Sequence, residues 1–362
     1  MRTIGLDLGK IITFCEISEG KITQRGVMHS IDELASVLGN SKGKAKVAFE
    51  ACREAWHVAD VVRQLGHEPL LVDTTRVRQL GIGQHRRKND RIDAECLARA
   101  TAENRLPKAH ELSKPRQELR LLVNQRALLL SMRTTLINHI RGMSRVFGSR
   151  LPSCNADEFL KNLKRWTMPE NVRQRLESLI KPLEEIEKSV ADADQQLQEC
   201  ATQERATQLL ETTPGVGPIV AASFISVIDS PDRFSSAHQV ESYVGIVPGE
   251  NSTGGKRRLG GISKHGNSYL RSVLVQAGWC ILRSKQKSTL KSWGQKVASR
   301  RGKKVAAVAI ARRLVGILWA MWRDGKPFEA NHQPAFQAVT VQAITQQQRN
   351  GFGMSAEMSM SQ

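Results

Sequence analysis

Between Asn251 and Arg323 the chain has no Asp or Glu at all, while Lys and Arg number 17. The whole sequence carries 54 Lys and Arg against 35 Asp and Glu, a formal charge of +19. This one stretch therefore supplies +17 of the excess, and the rest is close to neutral. A surface built only for solubility mixes its signs, so the acid-free stretch points to a polyanion, either nucleic acid or an anionic membrane. Paired cysteines are missing as well. Cys15, Cys52, Cys96, Cys154, Cys200 and Cys280 are scattered, with no CxxC pair and no His at ligand spacing. That excludes the usual zinc patterns and a disulfide framework. Uninterrupted apolar runs are also missing. The longest, VAAVAIARRLVGILWAMW at 305–322, has Arg312 and Arg313 near its middle. Charges there are costly at a bilayer centre, so the run reads as a buried amphipathic helix and not as a span. Met1 leads almost directly into a strand-like run, with no signal peptide. Together these absences read as a cytoplasmic protein without a membrane span, and the basic stretch predicts a polyanion as its partner.

A chain of 362 residues has room for two or three domains. Its first 112 residues alternate strand and helix signals. MRTIGLDLGK reads as a strand, ITFCEISEG and KITQRGVMHS as two further short strands turning at Glu19–Gly20, followed by a helix at IDELASVLG. KVAFE and EPLLVD are further strands on either side of the helix AWHVADVVRQLG, and TTRVRQLG and DRIDAECLARATAEN are helical. The pattern predicts an α/β domain with a mixed sheet. From 113 to 205 long helices take over. Val172, Leu176, Leu179, Leu183, Ile186, Val190, Ala193 and Leu197 alternate in steps of four and three, a heptad seam. Pro182 either kinks this seam or restarts it. A second such helix spans 115–147. The two can pair as a hairpin within a chain or hold two chains together, and the length of the seam favours a dimer. Residues 206–330 read as mainly α around a turn-rich centre. The Gln-, Ser- and Met-rich tail at 331–362 reads as disordered.

The acids raise a sharper question. Residues 85–93 read HRRKNDRID, setting Asp90 and Asp93 three apart among cations. On a helix both carboxylates share one face. Asp7 lies in an apolar strand and Glu50 ends another, a place where open α/β sheets present functional side chains. Four carboxylates that converge need a cation, and Mg²⁺ accepts such ligands with substrate phosphate completing its shell. The plain alternative is four unrelated surface acids, and Asp73 and Glu95 are rival carboxylates.

The basic stretch offers two further motifs. TTPGVGP (212–218) resembles a helix-hairpin-helix turn, in which Gly215 and Gly217 would give amides to a phosphate; equally, it ends one helix and begins another. The run 244–271 has six glycines from Gly249 to Gly266, which let a ligand approach the backbone. Lys256, Arg257, Arg258, Lys264 and Arg271 can contact phosphates there, as can Arg86, Arg87 and Lys88. Ser252 and Ser263 are hydroxyls in this loop, and a loop serine is ordinarily a turn former.

In this order, GLDLGK with Asp7, AFEA with Glu50, KNDRIDA with Asp90 and Asp93, PGVGP, and the loop through SKHGNSYLR resemble one family. It is that of the DEDD transposases of insertion sequences 110 and 1111, over roughly 1–330. The resemblance implies a RuvC-like, RNase H-type N-terminal domain (1–112), a coiled-coil dimerisation region (113–205) and a C-terminal transposase domain (206–330). It implies two Mg²⁺ ions at the four acids and a serine nucleophile that joins covalently to DNA. Counted back from SKHG (263–266), that serine matches Ser252, with Thr253 beside it. It also implies a structured guide RNA from the element itself and dimers that pair into tetramers. A RuvC-like resolvase using water would explain the acids but not the basic segment and its serine. A sugar kinase would need a second phosphate loop and an adenosine motif, and neither is in the sequence. A non-catalytic nucleic-acid binder would leave the acids unexplained.

Overall fold

The computed structural model describes residues 1–39, 43–77, 90–166, 169–250 and 258–330. The chain forms two compact units, one ending at Leu112 and the other beginning at Ser113.

The first unit contains strands β1 (Arg2–Leu8), β2 (Ile12–Ser18) and β3 (Lys21–Met28), helix α1 (Leu34–Leu38), strand β4 (Ala45–Glu50), helix α2 (Ala55–Gln64), strand β5 (Glu68–Val72) and helix α3 (Asp90–Ala102). The sheet order is β3-β2-β1-β4-β5. β2 runs antiparallel to β1 and β3, while β1, β4 and β5 are parallel. This mixed α/β sheet, with β1 at its centre, is consistent with the RuvC-like expectation. The β2–β3 turn falls at Glu19 and Gly20, both at positive φ. Of TTRVRQLG the described residues 74–77 form a helical turn after β5, Val77 N donating to the Asp73 carbonyl at 2.9 Å, and 78–81 lie outside the described residues.

Each face of the sheet is covered by different helices. Ile4, Leu6, Phe14, Val47 and Phe49 meet Leu34, Leu38, Val58 and Val62 of α1 and α2. On that side Arg2 and Glu16 form a buried pair at 3.0 Å, and His67 Nδ1 accepts the Ala45 amide at 3.1 Å. The alternate residues of β1 face α3. Thr3 Oγ1 donates to the Ala98 carbonyl at 3.2 Å. A Cβ at Gly5 would lie 2.7 Å from Ala98 N and 2.9 Å from Leu97 Cβ. The missing side chain at Gly5 is what lets α3 lie against β1.

The second unit opens with α4 (Lys114–Val146), α5 (Phe159–Arg165) and α6 (Glu170–Gln203). α6 runs through Pro182 as one helix, neither ending nor restarting there. Its seam residues Val172, Leu176, Leu183, Ile186, Val190, Ala193 and Leu197 are buried. Ile137 and Ile140 of α4 cluster with Val172, Leu176 and Leu183, while Leu119 and Val123 cluster with Leu197. The two helices therefore run antiparallel, and the seam is filled inside the chain. α4 at 33 residues matches α6 at 34, so the long seam has a partner of equal length within the chain.

Helices α7 (Arg205–Glu211), α8 (Pro218–Ile228) and α9 (Ala237–Val244), strands β6 (Pro248–Glu250) and β7 (Leu259–Ile262), and helices α10 (Ser268–Arg283), α11 (Thr289–Arg301) and α12 (Lys303–Asp324) complete it. β6 and β7 pair antiparallel, a hairpin inside the stretch that reads as loop from sequence. α12 is long and apolar enough to cross a bilayer, but Ile310, Leu314, Val315 and Leu318 lie in the shared core with α8, α9 and α10. Its two mid-helix arginines are satisfied: Arg312 Nε donates to Glu241 at 2.7 Å, and Arg313 lies 3.6 Å from the centre of the Trp293 ring.

Candidate active site

The close approach at Gly5 decides where the acids go. β1 carries Thr3, Gly5 and Asp7 on the face that α3 covers, so Asp7 emerges where the first turn of α3 begins. That turn contains Asp90 and Asp93. Carboxylate oxygens of Asp7, Asp90 and Asp93 all lie within 4.8 Å of one another. Asp7 and Asp93 are half-buried and Asp90 is exposed. Acids in a first turn favour the helix dipole, but three carboxylates this close repel. An all-oxygen donor set without His or Cys suits a hard divalent cation of the magnesium class. The residues present fit a divalent metal ion.

Glu50 stands one strand away. Register pairs Gly5 with Ala48 and Leu6 with Phe49, so Glu50 continues the row beside Asp7. Ala48 packs with Leu97 of α3, which puts Glu50 on the same face. It is half-buried at the end of β4 and lies outside the group of three. The rivals are engaged elsewhere. Asp73 accepts the Thr75 amide at 2.8 Å and its hydroxyl at 2.6 Å, closing a turn. Burial would raise that carboxyl, but the two Thr75 bonds and Arg76 outweigh it and hold it below its usual range. Glu95 pairs with Arg99 at 2.8 Å. Burial, helped by Asp93 and Glu95, pushes the Cys96 thiol up, leaving it protonated beside the acids.

In the second unit the SKHG corner is built around two glycines. A Cβ at Gly245 (φ 77°) would lie 2.7 Å from His265 N, and Gly266 (φ 83°) packs on the Tyr243 backbone. Ser263 N donates to the Val247 carbonyl at 2.8 Å, and Lys264 N to that of Gly245 at 3.0 Å. Arg271 Nη1 donates to the carbonyls of Val244 at 3.0 Å and His265 at 2.8 Å, and burial draws its pKa down. Arg271 braces the corner from within, where the sequence suggested a phosphate contact. Lys264 and Arg258 are exposed. The Ser263 hydroxyl is buried without a hydrogen-bond partner, closed to a phosphate. Ser252, Thr253, Lys256 and Arg257, in the β6–β7 connection, lie outside the described residues, as do Arg86, Arg87 and Lys88. At the TTPGVGP turn, Gly215 (φ 81°) faces α10, where a Cβ would sit 3.1 Å from the Ala277 carbonyl. Gly217 caps α8 with open space around it. A side chain at Gly215 would therefore crowd α10.

Sequence reasoning missed Gly5, although a glycine inside an apolar strand signals close backbone approach. It also missed the brace at Arg271, for which no local signal exists.

Two family models match the chain. One described as "Transposase", of the DEDD type, covers residues 4–145. The other, "Transposase IS116/IS110/IS902 family", covers residues 207–293. Among relatives, the transposase for insertion sequence element IS1111A of Coxiella burnetii is 28% identical over 331 residues, 89% of each chain. The transposase for insertion sequence element IS1328 of Yersinia enterocolitica is 29% identical over 342 residues, 90% of this chain and 98% of that one.

Proposed function

Because the chain belongs to the DEDD transposase family of insertion sequences 110 and 1111, we propose that it cuts and rejoins its own element's DNA with a magnesium site, a serine nucleophile and an element-encoded guide RNA. That it is a DNA transposase follows from the family; the machinery is our reading. The observation that carries it is the meeting of Asp7, Asp90 and Asp93 within 4.8 Å at the end of a central strand. With Glu50 beside them, these acids would hold two Mg²⁺ ions. When bound, such ions neutralise the phosphate and ease deprotonation of the attacking hydroxyl.

Ser252 Oγ attacks the scissile phosphorus, forming a phosphoserine bond. The bond to one sugar oxygen breaks, and that oxygen leaves as a hydroxyl, taking up a proton in place of the one the serine gave. A hydroxyl from another strand then attacks the phosphoserine and restores the serine, so the number of phosphodiester bonds is conserved. A serine hydroxyl is a weak nucleophile until activated, which ties its use to the acids. Arg86, Arg87 and Lys88 in the first unit, and Lys256, Arg257, Arg258 and Lys264 in the second, hold nucleic-acid phosphates. The protein works in the cytoplasm as a dimer that pairs into a tetramer. Since the α6 seam is filled by α4, we place the dimer contact on the outer face of α4, where Leu121, Leu128, Met132 and Val146 are exposed.

The test is a suicide DNA substrate that cannot be resealed. Wild-type protein should yield a denaturation-resistant adduct whose modified peptide contains Ser252, and Ser252→Ala should yield neither adduct nor recombination. An adduct on Thr253 would move the nucleophile by one residue. Cleavage without any adduct would mean that water attacks, as in a nuclease.

A further inference from the structure

Of the 13 cations from Arg271 to Arg323, six are engaged by their own fold, and Lys285 and Lys287 are exposed between α10 and α11. Arg271 holds two carbonyls, Arg283 stacks on Trp279, and Lys291 Nζ donates to the Ser284 carbonyl at 2.5 Å. Arg312 pairs with Glu241, Arg313 covers Trp293, and Arg323 pairs with Asp324. Five others lie within nine residues, and none has such a use. Lys296, Arg300, Arg301, Lys303 and Lys304 are all exposed, and none pairs with an acid among the described residues.

The backbone crowds these five together. α11 ends at Arg301 and α12 begins at Lys303, with Gly302 alone between them at φ 85° and ψ 159°. Only glycine adopts that conformation readily, so the corner is one residue long and the basic ends of two helices meet at it. Stability does not explain the arrangement. Arg300 and Arg301 suit the end of α11, but Lys303 and Lys304 occupy the first turn of α12, where the helix dipole opposes cations. Five uncompensated positive charges repel one another unless an anion lies against them.

We propose that the α11–α12 corner is a second docking surface for duplex DNA, gripping its phosphate backbone without reading sequence. The site rests on the transposase reading and adds residues that its reacting centre does not use. The five side chains are all cations, which hold phosphates in place but carry no sequence information. The aromatic partner that single-stranded bases need for stacking is not on offer: Trp293 of α11 is covered by Arg313. The exposed neighbours Gln295 and Ser299 give no stacking face. Such a surface would hold a duplex whatever its sequence.

The test uses the full chain and fluorescence anisotropy across a salt series. One probe is a duplex of arbitrary sequence, a second is an element-end duplex, and a third is a structured RNA. The variant replaces Lys296, Arg300, Arg301, Lys303 and Lys304 by Gln. A charge-matched control replaces Lys161, Lys164, Arg165, Lys181 and Lys188 by Gln. Each phosphate that is no longer neutralised should shrink the salt slope by about 0.9, so the variant's slope for either duplex should fall by roughly 2 to 4 relative to the control. RNA affinity should change less than about twofold, since the surface is assigned to the DNA. The pair Lys303→Gln with Lys304→Gln relieves repulsion at the start of α12 and so keeps the fold; its slope should fall by about 1 to 2. A slope equal to the control's, or a weakening confined to RNA, overturns the proposal while leaving the transposase reading intact. Wild-type protein that binds no duplex at all overturns that reading, and this proposal with it.

Discussion

In residues 1–112 Asp7 lies far in sequence from Asp90 and Asp93, and strand register with one glycine contact brings the three together, with Glu50 one strand away. In the second unit the cations lie in a single acid-free run from Asn251 to Arg323, and folding sorts them instead. Some, such as Arg271, Arg312 and Arg313, are turned to bracing the fold. Others, such as Lys264 and the cluster at the α11–α12 corner, are left on the surface. A site assembled by topology depends on backbone placement, so it should fail sharply when one close contact changes. A site spread along a charged run should fail in increments, one cation at a time.

The largest effect expected is at the acids. Asp7→Asn or Asp93→Asn should lower strand cleavage by more than about 10²-fold while duplex binding, measured by anisotropy, stays near wild type. Removing any one exposed cation of the second unit should cost far less. Equal losses from both would erase the contrast. Next come two leucine changes on helices of the same hairpin. Leu176→Asp puts a charge into a fully buried position and should cost at least about 4 kcal/mol, seen as unfolding of the helical hairpin in circular dichroism. It therefore cannot yield a folded monomer. Leu128→Asp, on an exposed face of α4, should leave the melt unchanged and halve the mass seen by light scattering. Gly5→Ala should cost about 1–3 kcal/mol from overpacking against α3 and reduce cleavage beyond what the lost stability explains. Full activity with a normal melt would mean that the Gly5 contact does not set the acids.

The smallest effect is a pH dependence of the first unit. Burial, then the nearby Arg2 charge, holds the His67 imidazole below its ordinary pKa of 6.5. The unfolded chain therefore binds the proton more readily, so stability is fully present above about pH 6.5 and declines as pH falls below it. Protonation would also remove the acceptor for the Ala45 amide. Hydrogen exchange of β4 should speed up on acidification, and His67→Gln should flatten that response.

These contrasts also explain how much could be read from the sequence. The five strands, the helices at 34–38, 55–64 and 90–102 and the pairing of Asp90 with Asp93 were legible, because apolar periodicity and short spacing are local signals. The contact at Gly5 was not, since nothing near it in sequence says that α3 will arrive there. Heptad spacing announced the α6 seam but could not say which helix would fill it. The hairpin β6–β7 is short and glycine-rich, so it carried no strand signal. Arg271 looked like its neighbouring cations, and only the backbone of the SKHG corner reveals that its Nη1 already serves two carbonyls.

The central claim is that the acids of the first unit and the serine of the second serve one reaction. Adduct yield on suicide DNA, measured against Mg²⁺ concentration for wild type and Asp7→Asn at equal DNA occupancy, tests it most directly. The account predicts a metal-dependent adduct on Ser252 for wild type and none for Asp7→Asn at any Mg²⁺ concentration. A full-yield serine adduct without a divalent ion, or with Asp7→Asn, would contradict it.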